Sequence, residues 1–470
     1  MITIGQFFLL LTLCLSFQTL MPPQLRSTSV HAFFFNACLL AVVAFSSQQV
    51  TAQQEKPQID SQLDWARWRG QNGAGRWQAP TNLQLDWSTQ KPELLWSQPV
   101  GASYSGITVV GNQVFTMDRQ VNGQTPEDAL AGNERVICLD RNTGKQLWQY
   151  SYAAHYKGLD YNKGPRVTPT VHQGRVYTLG AVGHLTCLDA LTGQKIWQRD
   201  LVSEEKAKLP TWGYSASPLV INDSELIIHA ALQPNGCFAA FDCQSGKELW
   251  RSGDDPAGYT APILIRQNGH KQLIGWTPKH VLGMSPVNGE IQWKIPYDVT
   301  YGVAIATPIF EQGHVLVCGY WEGSKLIKLS DNLKQATLVW EENEFLRGLM
   351  SQPLFRDGFV YLLDKQYGIV CFNLITGKVA WTDKNQLTPR GRNPQATLVW
   401  IGDTDRAICL NADGELVVTS LTPMGYKEIS RHAVVDFTWA HPAYSGDLIF
   451  ARDDEKLVCF RIPTEVSHSK

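Results

Sequence analysis

An eleven-residue pattern ending in tryptophan returns five times along this chain, and it restricts the possible folds more than any other feature. CLDRNTGKQLW closes at Trp148, CLDALTGQKIW at Trp197, AFDCQSGKELW at Trp250, GMSPVNGEIQW at Trp293 and CFNLITGKVAW at Trp381. Each copy joins an apolar strand end, a polar corner, a turn with glycine at one fixed place, and a second strand that carries the indole. The glycines (Gly144, Gly193, Gly246, Gly289 and Gly377) suit a hairpin position that needs positive φ. A weaker copy ends at Trp340, and the stretch from Leu416 to Ser430 has lost both the glycine and the tryptophan.

A second mark keeps the same period. A residue followed by proline and an apolar pair occurs at Pro169, Pro218, Pro262, Pro308, Pro353 and Pro442, at spacings of 49, 44, 46, 45 and 89 residues. The last interval is two periods, and the skipped unit is the degenerate copy. Period-2 runs such as Arg175–Leu179 and Phe359–Leu363 lie between the marks and read as strands. Four short strands in about 46 residues make one propeller blade. Trp96, in LLWSQPVG, has the fourth-strand tryptophan without its preceding turn, whereas the chain closes on Leu457–Phe460, a third strand with no fourth after it. The two ends are complementary. The expectation is an all-β, eight-bladed β-propeller of four-stranded antiparallel blades over residues 94–463, with the last blade closed by the N-terminal strand so that no edge stays open. Only 18% of residues are charged and there are 38 glycines, which agrees with many short strands and turns.

The spacing A-x-D-x-x-T-G-x-x-x-W resembles the tryptophan-docking repeat of pyrroloquinoline-quinone (PQQ) dehydrogenases. The same repeat occurs in non-catalytic relatives, including the propeller subunit of the outer-membrane protein assembly machinery. The resemblance covers about residues 94–463. It implies either a binding scaffold of the cell envelope or, as the alternative, a quinoprotein dehydrogenase that uses PQQ with calcium. Many such enzymes carry adjacent cysteines beside the cofactor, and this chain has no Cys-Cys pair. Their calcium-binding carboxylates and aspartate base have no assignable match here either, so the non-catalytic reading leads. A WD40 assignment is weaker, because the repeat tryptophans are not followed by aspartate.

Residues 1–52 read as a leader. Phe33 to Phe45 form an apolar stretch preceded by Arg26 and His31 and followed by Val50-Thr51-Ala52, the layout of a secretory signal cleaved near Ala52. An upstream apolar run, Phe7 to Leu20, has two explanations: translation beginning at Met21, or an N-terminal membrane anchor. The expected location is therefore outside the cytoplasm, periplasmic or released, with no stable span once the signal is removed. Residues 53–93 form an extension containing DWARWRGQNGAG (Asp64 to Gly75), expected to run along the propeller surface, and 464–470 form a tail. A formal charge of −2, with basic residues dispersed, excludes the basic stripe of a nucleic-acid binder. A monomer is expected.

Eight cysteines follow the leader. Cys138, Cys187, Cys371 and Cys459 share one repeat position, so they sit on stacked sheets about 10 Å apart, too far for disulfides. Cys237 and Cys243 lie along one extended segment and cannot bridge either. The cysteines are therefore read as small buried apolar residues.

The repeat tryptophans (Trp96, Trp148, Trp197, Trp250, Trp293, Trp340 and Trp381) are read as inter-blade docking groups rather than ligand stackers, because one per blade at a fixed position is what ring packing requires. Candidate binding residues come instead from the loops that lead into the X-Pro strands. These are Tyr104, Arg166, Tyr214, Tyr259, Tyr301, Arg347, Arg390, Arg392, Trp439 and His441. Aromatic and arginine side chains at one funnel mouth suit planar rings and anions. The competing reading is that they pack the funnel and solvate its rim. No nucleophile elbow, metal-spaced cluster or phosphate loop accompanies them. A lyase or glycan hydrolase would need paired carboxylates, and Asp160 and Glu204-Glu205 are the nearest candidates. The expected partner is an envelope protein or a small molecule at the mouth, with no metal site assigned.

Overall fold

A computed structural model of the chain describes residues 64–465 apart from 122, 124 and 349. The chain divides into two units, Met1–Lys56 and Pro57–Lys470, and every described residue belongs to the second. The expected leader, its cleavage near Ala52, and residues 466–470 of the tail lie outside the described residues.

The described residues form eight sheets, seven of four antiparallel strands and one of five in which the added strand is parallel. Blade 1 runs outward from the axis through Thr108–Val110, Gln113–Val121, Gly132–Asp140 and Gln146–Ala153. Blades 2 to 7 repeat this order, with inner strands Thr170–His172, Leu219–Ile221, Ile263–Gln267, Ile309–Glu311, Leu354–Arg356 and Ala396–Ile401. Blade 8 takes three strands from the C-terminal end and its outermost strand, Glu93–Pro99, from near the N-terminus. That strand pairs antiparallel with Lys456–Arg461, with Trp96 opposite Cys459. The ring is thus closed by backbone hydrogen bonds between segments more than 350 residues apart, which give blade 8 its fourth strand and cover the edge of Lys456–Arg461.

The repeat motif has a local cause. Asp140 Oδ1 accepts from the backbone N–H of Thr143 at 2.9 Å and from its hydroxyl at 2.8 Å, which ties the turn before the outer strand. Asp189 with Thr192, Asp242 with Ser245 and Asn373 with Thr376 repeat the arrangement. An acceptor and a hydroxyl three residues apart are what this turn needs. The next residue is a glycine, which has a second role that the repeat alone does not show. The indole of the preceding blade lies flat against it. A Cβ on Gly193 would stand 2.5 Å from Trp148, and one on Gly246 would stand 2.6 Å from Trp197. The same indoles donate to backbone carbonyls of the next blade: Trp96 to Arg141, Trp148 to Ala190, Trp197 to Cys243, Trp340 to Leu374 and Trp381 to Thr422, all between 2.9 and 3.1 Å. Trp293 bonds Gln272 of its own blade instead, and the Trp250 N–H has no partner. The core follows this docking. One buried cluster runs through Phe115, Trp148, Tyr177, Trp197 and Phe241, from blade 1 to blade 3.

Blade 7, the degenerate repeat, has no tryptophan on its outer strand Gly425–Ala433. The N-terminal extension supplies one there. Trp87 is buried, its backbone N–H bonds the Ser430 hydroxyl at 2.8 Å, and its ring stands edge-on to His432. All eight described cysteines are free and buried. No helix among the described residues is long and apolar enough to cross a membrane.

Candidate functional site

The loops that join the outer strand of one blade to the inner strand of the next gather at one end of the ring. Tyr104 and Tyr161 each lie 5.8 Å from Trp439, and Phe437 lies 5.9 Å from it, so loops of blades 1, 2 and 8 build one aromatic cluster. Tyr161 and Phe437 are exposed, and the indole N–H of Trp439 is buried without a partner. Arg166 reaches the Tyr104 ring at 5.6 Å, but its guanidinium is bonded to the carbonyls of Asp160, Tyr161 and Gly164 in its own loop. Burial pushes the Tyr104 phenol up to about 12 against the pull of Arg166.

The remaining candidates separate. Tyr259 is buried against Trp212 at 5.4 Å, its phenol pushed up to about 12 by burial. Tyr214 is wholly buried, and its hydroxyl donates to the carbonyls of Lys208 and Ala230, so it braces a loop and does not face the mouth. Arg347 is half-buried and engaged inside its own blade. Its Nε stands 3.6 Å from the buried Asp364 carboxylate and its Nη2 bonds Gln366. Tyr301 is 76% exposed and stands away from the cluster. Arg390 and Arg392 are exposed and make no side-chain hydrogen bond or ion pair among the described residues. Among the candidate binding residues they are the unpaired cations.

His441 lies deeper, in the channel, and there the N-terminal extension departs from the surface route expected of it. Trp65 pairs with Val109 on the inner strand of blade 1, and the Ala66 carbonyl accepts from Val171 of blade 2. The Trp68 indole crosses the axis to bond the Thr307 hydroxyl of blade 5 at 3.0 Å, and its ring packs at a tilt of 53° against His441, 4.2 Å between centroids. Arg69 then donates to the Pro353 carbonyl of blade 6. Arg76–Trp77 adds a fifth, parallel strand to the inner edge of blade 7, and the Trp77 indole bonds Gly446 of blade 8. The extension therefore plugs the channel. Two tryptophans and an arginine are better placed inside than laid on a wet surface, because the channel lining removes their apolar area from water. Burial, with Arg69 close by, pushes His441 down to about 3.

The plug bears on the quinone cofactor implied by the repeat. The chamber left beside Trp68 is about 20 Å³, whereas a cofactor pocket needs about 300 Å³ or more. Among the described residues no three His, Cys, Asp or Glu side chains gather as a metal-binding group. The channel residues do not fit PQQ with calcium. The carboxylate candidates do not pair for acid–base work either. Glu205 is clamped by Arg251 and Arg199, which hold its carboxyl below the usual range, and Glu204 bonds Arg199.

Two groups of residues escaped the sequence reading. The plug residues Trp65, Trp68 and Arg69 carry no periodicity, although an extension so rich in indole was a signal of burial. Tyr320, Trp321 and Lys365 also line the mouth, from the loops joining second to third strands, with Lys365 Nζ 3.7 Å over the Trp321 ring. These loops alternate with those that enter the inner strands and open on the same face.

The family described as outer membrane protein assembly factor BamB matches residues 132–383, more than half of the chain. The BamB of Moranella endobia (strain PCIT) is 21% identical over 325 residues, which is 62% of this chain and 72% of the relative. Quinohemoprotein alcohol dehydrogenase from Comamonas testosteroni shares the fold, with a TM-score of 0.60 and 12% identity over 92% of this chain and 85% of that one. The computationally designed Ika8 protein does so with a TM-score of 0.53 and 12% identity, over 79% of this chain and all of that one. With the repeat, the blade count and the matched span together, the chain belongs to the family of outer membrane protein assembly factor BamB.

Proposed function

We propose that this protein is an exported, non-catalytic scaffold of the cell envelope that docks a protein partner at the loop-bearing mouth of the propeller. The observation that carries the reading is the state of the two ends of the channel. The axis is filled by the chain's own extension, while loops at the mouth present exposed Tyr161, Phe437 and Trp321 together with the exposed, unpaired Arg390 and Arg392, the last reached by the Tyr320 hydroxyl at its carbonyl. Aromatic anchors with arginines around them are the usual composition of a protein-binding hot spot. The partner they suit is an acidic segment with apolar side chains. Family membership supports an envelope role, since the relative from Moranella endobia is named for outer-membrane assembly.

The test compares wild type with the Arg390→Ala/Arg392→Ala/Phe437→Ala variant in pull-downs from envelope extracts. The variant should keep its thermal midpoint and lose a specific partner. Each charge-assisted contact is worth about 1.5–3 kcal/mol, so two arginines weaken capture about a hundredfold or more. Identical profiles would remove the mouth from consideration. N-terminal sequencing of the mature protein should begin near Gln53, and finding Met1 on cytosolic protein would overturn export. Absorbance titration with PQQ and Ca²⁺ should give no saturable change, and a saturable one would restore the dehydrogenase reading.

A further inference from the structure

We propose that the plugged channel holds one small monovalent inorganic anion, a halide such as chloride, against the Arg69 guanidinium, and that this ion locks the N-terminal extension into the ring. Arg69 is 8% exposed. Its Nη2 donates to the carbonyls of Ala74 and Pro353 at 3.3 Å, and its Nε and Nη1 have no partner among the described residues. A guanidinium stays protonated in proteins, so two donors of a buried cation are left unanswered. The loss in its proton affinity, down to about 10, comes from burial alone, with no carboxylate offsetting it.

The chamber that Arg69 borders is built for a negative occupant. Its other polar walls are Thr168, Gln352, Thr397 and His441, and no Asp or Glu lines it. The Thr168 hydroxyl is buried and partnerless, and it sits where a Cβ on Gly106 would meet it at 2.2 Å, so bare backbone keeps that side of the chamber open. His441 is neutral, because its own protonation is opposed by burial and by Arg69. It can turn an N–H, but no charge, towards the occupant. A second cavity of about 110 Å³ also touches Arg69; it is bordered by Asp64, whose Oδ1 accepts from the Gly111 N–H, and by Arg76, whose charge is already answered by Asp403. The Asp64 carboxylate directs the anion to the chamber beside Trp68 instead. The size is decisive. A chamber of about 20 Å³ admits one particle near the size of water, which suits a halide and excludes sulfate or phosphate. A water molecule fits the volume as well, but it does not neutralise the cation.

Arg69 belongs to the extension, whereas Thr168, Gln352 and His441 belong to three different blades, so an ion between them couples the plug to the ring. The experiment uses the mature chain. Crystals grown in sodium bromide should show a bromine anomalous peak beside Arg69. The thermal midpoint, measured in chloride against gluconate at fixed ionic strength, should rise with chloride and keep rising with its logarithm above the dissociation constant. In gluconate the extension should be clipped by protease several-fold faster than in chloride. Arg69→Met should abolish the chloride dependence, and Thr168→Val should weaken it several-fold while leaving the fold intact. A chamber that holds water only in bromide crystals would overturn the proposal even if Arg69→Met fails to fold. So would a midpoint with the same chloride dependence in wild type and Thr168→Val.

Discussion

Two glycines with nearly the same backbone separate turn geometry from blade docking. Gly174, in the turn between the first two strands of blade 2, has φ of +72° and nothing within 4 Å of the site a Cβ would take. Gly193, in the turn before the outer strand of the same blade, has φ of +71°, but its Cβ would stand 2.5 Å from Trp148 Cδ2 and Cε3. Alanine at either site meets the left-handed penalty of about 1–2 kcal/mol. At Gly193 it also overlaps an indole by about 1 Å relative to the normal carbon contact of about 3.5–4 Å. The indole cannot retreat freely, because its N–H is bonded to Ala190 at 3.0 Å. Overpacking of this kind adds about 1–3 kcal/mol. Gly174→Ala should therefore cost about 1–2 kcal/mol and Gly193→Ala about 2–5 kcal/mol. Urea unfolding followed by tryptophan fluorescence, with midpoints compared at equal slope, measures both. In a Trp148→Ala background the excess cost of Gly193→Ala should vanish, since the contact is gone. Equal costs for the two single alanines, or an excess that survives Trp148→Ala, would refute the claim that this glycine is a docking surface.

Trp197→Ala should destabilise the protein by about 3–5 kcal/mol, the range for buried tryptophan truncations, and a mutant of unchanged denaturation midpoint would contradict its buried contact with Gly246. Deleting Glu93–Pro99 should bare the Lys456–Arg461 edge of blade 8 and cause aggregation seen by light scattering; a soluble deletion of wild-type stability would rule out closure by that strand. His229 is wholly buried, accepts the Gly258 N–H at Nε2, and is pushed down to about 4 by burial. Between pH 6.5 and about 4 the unfolded chain binds a proton that the native one refuses, so stability falls as pH falls through this window, by about 3 kcal/mol in total. His229→Phe should lose that share of the pH dependence, and identical pH profiles for mutant and wild type would show that another group titrates.

The blade count, the strand order and the ring closure were legible in the sequence for a physical reason. Each blade is a meander whose hydrogen bonds join neighbouring segments, and each turn carries its own chemistry in the aspartate, threonine and glycine that hold it, so every repeat states its local structure afresh. Even the closing strand could be identified, since Trp96 without a turn and Cys459 without a following strand are complementary halves of one unit. The mouth was legible only in part. The loops entering the inner strands do gather, but position along the chain does not reveal which way a side chain turns. Tyr214 turns into the core and Arg347 turns onto Asp364, whereas Tyr301, Arg390 and Arg392 stay exposed.

What the tertiary structure alone decided is the course of the non-repeating extension. Trp68 reaches Thr307, Trp77 reaches Gly446 across 369 residues, and Trp87 fills the place beside blade 7 that its own repeat leaves without an indole. No periodicity predicts such contacts, because they depend on a channel and a gap that exist only once eight blades have closed around them. The sequence by itself determined the ring, through interactions between residues near one another in the chain. The contents of the ring were set by which buried surfaces remained for the extension to cover after closure, a balance of apolar area and unpaired polar groups that only the assembled structure presents.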